Sequence, residues 1–389
     1  MNNDEKTERE VSRTDVPDEL DHNMISTAGE NADEDGLCWF DVTAAPVDLY
    51  GFYRDDPEFT FCRLPADVAE ATNAGVARNR THTAGGRARF STDSRRVAVR
   101  VEMPYMTKYA HMAFTGSSSF DLYEDDAQLV YGDKGLGSKF LILYKPDMKS
   151  KTGFTSVADL KEKKMRHLTL NFPLYSPVTK LEIGIDAGSR LGGGMKYKPV
   201  LPIVFYGSSI TQGACASRPG LCYQAHISRR LNLDYLNLGF SGNARAELPI
   251  AEYMAGLKMS AFICDYDHNT PDAAYLKETH YRLYRIIRDK NPDIPYIMLS
   301  RPDTESRLDY TATLDRRAVV EDTYRAAYAE GDRNVWYIDG EGIFRGVDED
   351  SCTVDGTHPN DLGFMKMADS VGRILRRAMR KGLAPFAEE

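Results

Sequence analysis

No apolar run in the chain approaches the roughly 18 residues needed to span a bilayer. No membrane partner is therefore expected. The N-terminus lacks the basic residues and apolar stretch of a secretory signal, and a cytoplasmic address is expected. Cysteine is scarce: Cys38, Cys62, Cys215, Cys222, Cys264 and Cys352 include no Cys-x-x-Cys pair. That spacing argues against a structural zinc site, and no metal or organic cofactor is expected. In a reducing compartment the thiols stay free and mostly buried. Cys215 and Cys222 are close enough in sequence to cross-link in an oxidising one. A basic excess is missing too. Residues 1–36 hold 12 acidic and 3 basic side chains, and the remainder is balanced at 46 of each sign. A neutral body without a basic stripe argues against nucleic acid as a partner.

What is present is ordinary globular composition, 42% hydrophobic and 28% charged. At 389 residues the chain exceeds what one core usually holds. The expected division is a polar acidic leader over 1–36, partly disordered, a β-rich domain over 37–195 and a second domain over 200–389. In the β-rich part Val97, Val99 and Val101 alternate with polar or small residues, as do Leu181, Ile183 and Ile185. Leu168, Leu170 and Phe172 repeat the pattern. Short strands between glycine-rich turns predict a β-sandwich or jelly roll. One short helix is expected at 156–164.

After residue 200 apolar strands alternate with helices. Strands are expected at 202–206, 235–238, 261–264, 296–299 and 335–338. Helices are expected at 221–231, 272–290, 312–330 and 361–381. This rhythm predicts a five-stranded parallel sheet with helices on both faces. Ligands of such sheets sit at the carboxyl ends of the strands. Those ends carry Gly207-Ser208-Ser209-Ile210-Thr211, Gly239-Phe240-Ser241-Gly242-Asn243 and Asp265-Tyr266-Asp267-His268-Asn269. Asp355-Gly356-Thr357-His358 precedes the last helix.

These are the parts acyl transfer requires. A serine hydroxyl is a weak nucleophile, and histidine can take its proton near neutral pH. A carboxylate fixes the tautomer of that histidine. Preorganised donors must hold the oxyanion of the tetrahedral intermediate. Asp355 and His358 are three apart, so one turn can bring both side chains to one side.

The four segments, in order and spacing, resemble the sequence blocks of SGNH/GDSL hydrolases. The resemblance covers about residues 200 to 381 and implies a flavodoxin-like three-layer α/β/α domain. It makes Ser209 the nucleophile, His358 its base and Asp355 the partner of His358. It assigns the oxyanion hole to the backbone N–H groups of Ser209 and Gly242 and to the Asn269 side chain. The β-rich half resembles, more weakly, the N-terminal jelly roll of two-domain SGNH esterases that deacetylate carbohydrates. Trp39-Phe40-Asp41, Gly85-Gly86-Arg87-Ala88-Arg89-Phe90 and Phe120-Asp121-Leu122-Tyr123 carry that likeness. Two departures stand out: Ser208 replaces the aspartate that commonly precedes the nucleophile, and Asp267-His268-Asn269-Thr270 lacks the Gly-x-Asn-Asp form.

His268, beside Asn269, and Arg218, in a loop near the nucleophile, are candidate substrate contacts. Each also reads as a structural or solvated residue. The expected activity is hydrolysis of short-chain esters, acetyl foremost, on a small molecule or oligosaccharide. No apolar lid segment points to long-chain lipids. A lipase or thioesterase with the same centre is the first rival. A carbohydrate-binding protein on an inactive hydrolase fold is the second, and retention of Ser209, Asp355 and His358 speaks against it.

Overall fold

The computed structural model describes residues 24–27, 32–125, 138–198, 200–302, 310–346 and 348–380. Most of the acidic leader at 1–36 lies outside the described residues.

The first eleven strands are all short and antiparallel. They are β1 (Ile25–Ser26), β2 (Leu37–Asp41), β3 (Asp48–Tyr50), β4 (Arg87–Thr92), β5 (Arg96–Glu102), β6 (Phe120–Asp125), β7 (Ser138–Tyr144), β8 (Gly153–Asp159), β9 (Arg166–Asn171), β10 (Lys180–Asp186) and β11 (Arg190–Gly193). One sheet runs β1-β11-β4-β9-β6-β7 with β3 beside β4, and the other runs β2-β10-β5-β8. The alternating valines of β5 and isoleucines of β10 face Phe90, Leu122 and Leu168 of the opposite sheet in one core. The expected sandwich is the observed one.

The helix expected at 156–164 is absent. Those residues form β8 and a turn. β8 pairs with β5 over its whole length, from Arg96 opposite Asp159 to Glu102 opposite Gly153. Val157 and Thr155 are β-branched and suit a strand, and Lys161 turns the chain with a left-handed φ of 75°. The charged residues at 161–164 form the solvated bend after an edge strand.

The second half is a parallel sheet of β12 (Ile203–Gly207), β13 (Tyr235–Gly239), β14 (Ala261–Asp265), β15 (Tyr296–Leu299) and β16 (Val335–Ile338). Its order is β13-β12-β14-β15-β16, the flavodoxin-like winding. Alternate residues feed opposite faces, as the period of a strand dictates. Val204, Tyr206, Phe262 and Met298 pack beneath the helices Leu248–Ala255, Ala273–Lys290 and Tyr310–Ala329. Ile203, Phe205, Ile263 and Ile297 pack beneath Tyr223–Leu231 and Asp361–Arg380. Asp272 starts the long middle helix by accepting the N–H of Tyr275 at 2.8 Å.

The two halves meet over buried polar contacts rather than an apolar face alone. Arg63, 3% exposed, bonds only carbonyls among the described residues. Its guanidinium donates to the carbonyls of His82 and Asn79 in the first half, both at 2.7 Å, and of Asn237 and Gly239 in the second, at 2.9 and 2.7 Å. It also lies over the Phe240 ring. Gly116 shows how close the backbones come: a Cβ there would stand 2.0 Å from the Ala216 carbonyl oxygen. Thr115 Oγ1 donates to Ser217 O next door at 2.6 Å. Among the described residues no helix is long and apolar enough to cross a membrane.

Candidate active site

β12 ends at Gly207, and the chain turns at once into the short helix Ser209–Gln212. Ser208 caps that helix, its Oγ accepting the N–H of Ile210 at 3.1 Å. An aspartate at this position would cap in the same way, so the first departure from the family pattern keeps the local turn. Ser209 is 6% exposed. As the first helical residue, its N–H has no acceptor within the helix.

The nucleophile turn is held from all sides. Thr211 Oγ1 donates to Asp265 Oδ2 at 3.0 Å, and Thr211 O accepts from Asn237 and Gln224. Gln212 donates to Leu174 O at 3.1 Å and pairs with His82 Nδ1 at 3.0 Å. Its Oε1 accepts the N–H of Ser241 at 3.0 Å, which ties the β13 loop to the nucleophile. Tyr175, from the sandwich half, donates to Ser209 O at 3.3 Å.

Gly242 has φ +70°, a conformation an L side chain resists. Asn269 closes a tight turn with its N–H on Tyr266 O at 2.9 Å. Its Oδ1 accepts from Ala244 N at 3.3 Å, which leaves the amide nitrogen to donate elsewhere.

His358 sits in a loop pinched shut by the Thr353–Pro359 bridge and by Val354 N donating to His358 O at 2.9 Å. Asp355 Oδ1 accepts the N–H groups of Thr357 and His358, at 3.0 and 2.8 Å. Its Oδ2 stands 2.8 Å from His358 Nδ1. Ser209 Oγ is 3.0 Å from His358 Nε2. With Nδ1–H directed at the carboxylate, the Nε2 lone pair faces the serine hydroxyl. Burial pulls the Asp355 carboxyl up, but the N–H and imidazole of His358 outweigh it and hold it at about 2. Burial is the main influence lowering His358, against the pull of Asp355.

His268 is paired as well. Its Nδ1 lies 2.9 Å from Asp267 Oδ1, and its buried Nε2 has no hydrogen-bond partner. Asp267 is 2% exposed and also accepts the N–H groups of His268 and Arg301, at 2.9 and 3.0 Å. These bonds hold its carboxyl below the ordinary range although burial alone would raise it.

Arg218 is engaged by the first half of the chain. Its guanidinium is taken up by the sandwich, donating to buried Asp121 at 2.9 Å and to Tyr123, and lying over Phe140. Asp121 Oδ2 also accepts Gly220 N at 2.8 Å. The Asp121-Leu122-Tyr123 segment thus grips the loop after the nucleophile, and Arg218 joins the halves.

Several neighbours have no counterpart in the sequence expectations: His82, Tyr175 and Asp267, and His111, whose ring centroid is 5.4 Å from that of His358. The Asp267-His268 adjacency was a visible signal. His111 carried none, because it comes from an irregular loop of the sandwich. All six cysteines are buried. Burial, then the Asp355 charge, pushes the Cys215 thiol up to about 12, so it is no rival nucleophile at neutral pH. Among the described residues two groups of donors lie close enough together to share a cation: His111, Cys215 and His358, and Asp265, Asp267 and His268.

A parallel-sheet hydrolase preceded by an antiparallel sandwich is the class that fold and site define. Residues 200–376 match the GDSL-like lipase/acylhydrolase family model, and residues 37–191 match the model for the N-terminus of SGNH-hydrolase-type esterases. The chain belongs to the SGNH/GDSL hydrolases and is an ester hydrolase. No curated protein sequence matches it. Among solved structures it is similar to one described as a GDSL-like lipase from Bacteroides ovatus, with 24% identity, TM-score 0.78 and coverage of 90% of this chain and 100% of that one. It is similar to the salicylyl-acyltransferase SsfX3 of a tetracycline biosynthetic pathway, at 19% identity, TM-score 0.69 and coverage of 88% and 97%. A family two carbohydrate esterase from Clostridium thermocellum, in complex with cellohexaose, shares 16% identity, TM-score 0.55 and coverage of 86% and 99%. These likenesses concern the fold.

Proposed function

We propose that the protein hydrolyses short-chain esters, acetyl foremost, on carbohydrates, with Ser209 as nucleophile. His358 Nε2 takes the hydroxyl proton as Oγ attacks the acyl carbon. The developing oxyanion is held by the N–H groups of Ser209 and Gly242 and by the Asn269 amide, each donor contributing on the order of 3 kcal/mol. His358, now charged and steadied by Asp355, protonates the leaving alkoxide. Water then enters, gives its proton to His358 and attacks the acyl-serine, and the carboxylic acid departs as Ser209 regains its proton.

The observation that carries this reading is the continuous chain from Ser209 Oγ through His358 to Asp355, at 3.0 and 2.8 Å. A substrate contact for His268 fits the same picture. Its Nδ1–H is committed to Asp267, so Nε2 is left as an acceptor for a substrate hydroxyl. The sugar is the less direct part. It rests on the carbohydrate esterases among the similar folds, one of them an acetyl xylan esterase from Butyrivibrio proteoclasticus.

The test compares acetate release from acetylated oligosaccharides with turnover of p-nitrophenyl esters of rising chain length. Rates should fall beyond short acyl groups and should vanish in Ser209→Ala. Unchanged hydrolysis by Ser209→Ala would remove the mechanism. A preference for long chains would replace the acetylesterase reading with a lipase or thioesterase.

A further inference from the structure

We propose that His111, Cys215 and His358 form an inhibitory site for a soft divalent cation, Zn2+ in the first place. The inhibition rests on His358 acting as the base, as proposed above; the binding does not.

The three residues reach one point from three segments. His111 comes from the loop between β5 and the helix Phe114–Ser118, Cys215 from the turn after the nucleophile helix, and His358 from the loop before the last helix. One ligand atom of each, imidazole nitrogen or Sγ, lies within 4.8 Å of the others. Zinc bonds nitrogen at about 2.0–2.1 Å and sulfur at about 2.3 Å, so tetrahedral donors stand roughly 3.3–3.8 Å apart. Side-chain rotations that move the donors together by about an ångström close the site. Cys215 is already oriented for it: its Sγ donates to His111 O at 3.3 Å, so the thiol and the His111 backbone are in contact. His111 is solvent-exposed, which gives the cation a way in.

The donor set selects the ion. Two imidazoles and a sulfur suit Zn2+ and its borderline-soft neighbours, and no carboxylate is among them to favour Mg2+ or Ca2+. The surroundings of His358 are those of a metal-bound histidine. Its Nδ1–H is fixed by Asp355 at 2.8 Å, and a carboxylate–histidine pair of this kind orients imidazole toward zinc. The nitrogen left for the metal is Nε2, the same atom that stands 3.0 Å from Ser209 Oγ. Metal and serine proton compete for one lone pair. On binding, the Cys215 thiol gives its proton to solvent, the Zn–S bond forms, both imidazoles stay neutral, and the fourth position is left to water.

The experiment starts from chelator-treated full-length protein. Titration with Co2+ should produce the near-ultraviolet charge-transfer absorption of cobalt–thiolate ligation, and Zn2+ should abolish the band by displacement. Both ions should stop hydrolysis of p-nitrophenyl acetate, and EDTA should restore it. Cys215→Ser should lose the band. His111→Ala removes an exposed side chain outside the proposed machinery, so it should keep basal hydrolysis. It should raise the half-inhibiting Zn2+ concentration at least about tenfold, the lower end of what losing even an outer-shell partner of a metal ligand costs. A folded wild-type protein that shows no band overturns the proposal, as does His111→Ala inhibited like the wild type. Should no ester be hydrolysed at all, the proposed function falls while the cobalt band still decides the site.

Discussion

Three histidines are placed so that mild acid, above the range of ordinary carboxylates, should destabilise this protein. His82 and His280 are 4% and 2% exposed, and His226 is largely buried among Arg218, Arg229 and Arg230. Burial lowers all three, His82 and His226 to about 3 and His280 to about 4. An unfolded histidine titrates near 6.5. Below that pH the unfolded chain therefore binds protons that the folded chain refuses. The stabilisation is complete above about 6.5 and is lost as pH falls toward the folded values. Each group contributes about 1.4 kcal/mol per pH unit, so reaching pH 5 costs about 2 kcal/mol apiece and about 6 kcal/mol together. Two carboxyls raised by burial, Asp265 and Asp234, oppose them. Burial raises Asp265 to about 6, so in the folded state it accepts its proton earlier than in the unfolded chain. Between pH 6 and 5 it returns about 1.4 kcal/mol. The net expectation is a loss of up to about 5 kcal/mol between pH 7 and pH 5, a large part of the stability of an ordinary domain. Urea denaturation at the two pH values, followed by tryptophan fluorescence, measures it. A difference under about 1 kcal/mol would refute the reasoning. His280→Phe is the control, since it keeps a ring against Tyr266, which His280 now stacks upon. It should flatten the slope below pH 6.5 by about 1.4 kcal/mol per unit.

Other outcomes follow from the site and the seam. Asp355→Asn should leave the fold intact and lower kcat roughly 10^4-fold, because the imidazole then takes the wrong tautomer; a pre-steady-state acylation assay would read it. Asn269→Ala should lower kcat about 10^2- to 10^3-fold with little change in KM, the signature of a lost oxyanion donor. A loss confined to KM would argue that Asn269 binds the ground state instead. Arg63→Met removes a donor from four buried carbonyls, of which Asn79 O keeps the His82 N–H, and each carbonyl left unpaired costs about 1–3 kcal/mol. The variant should lose at least about 3 kcal/mol in urea, and an unchanged midpoint would show that water replaces the guanidinium.

Much of the architecture was readable from periodicity. Strands at 296–299 and 335–338 lie where alternating or continuous apolar runs placed them, and Asp272 and Pro292 bracket a helix by capping and by proline's refusal to continue one. The failure at 156–164 has a physical origin: pairing with β5 decided the form of the segment. The candidate site divides the same way. Ser209, Gly242 and Asn269 stand at strand ends, and Asp355 with His358 in one tight loop, so local rules point to them. His111, His82 and Tyr175 come from the irregular segments of the sandwich. Their arrival depends on how two separate cores dock, which no local pattern encodes. The partner of Arg218 was hidden for the same reason, since Asp121 lies 97 residues away in the chain.

The contact between Gly116 and the Ala216 carbonyl bears on how such proteins can be recombined. The two family models meet at a junction near residues 191–200, the natural breakpoint for exchanging parts between relatives. The seam ignores that junction. Gly116 must be inherited with the Ala216 loop, Asp121 with Arg218, and Arg63 with the backbone course of Asn237 to Gly239. A chimera cut at the linker would receive a mismatched seam beside the serine, and Leu64, Ala69 and Val76 of the first half would have to fit a foreign hydrolase core. The halves are therefore physically coupled as one unit, and loop substitution should change specificity with less damage than an exchange of halves.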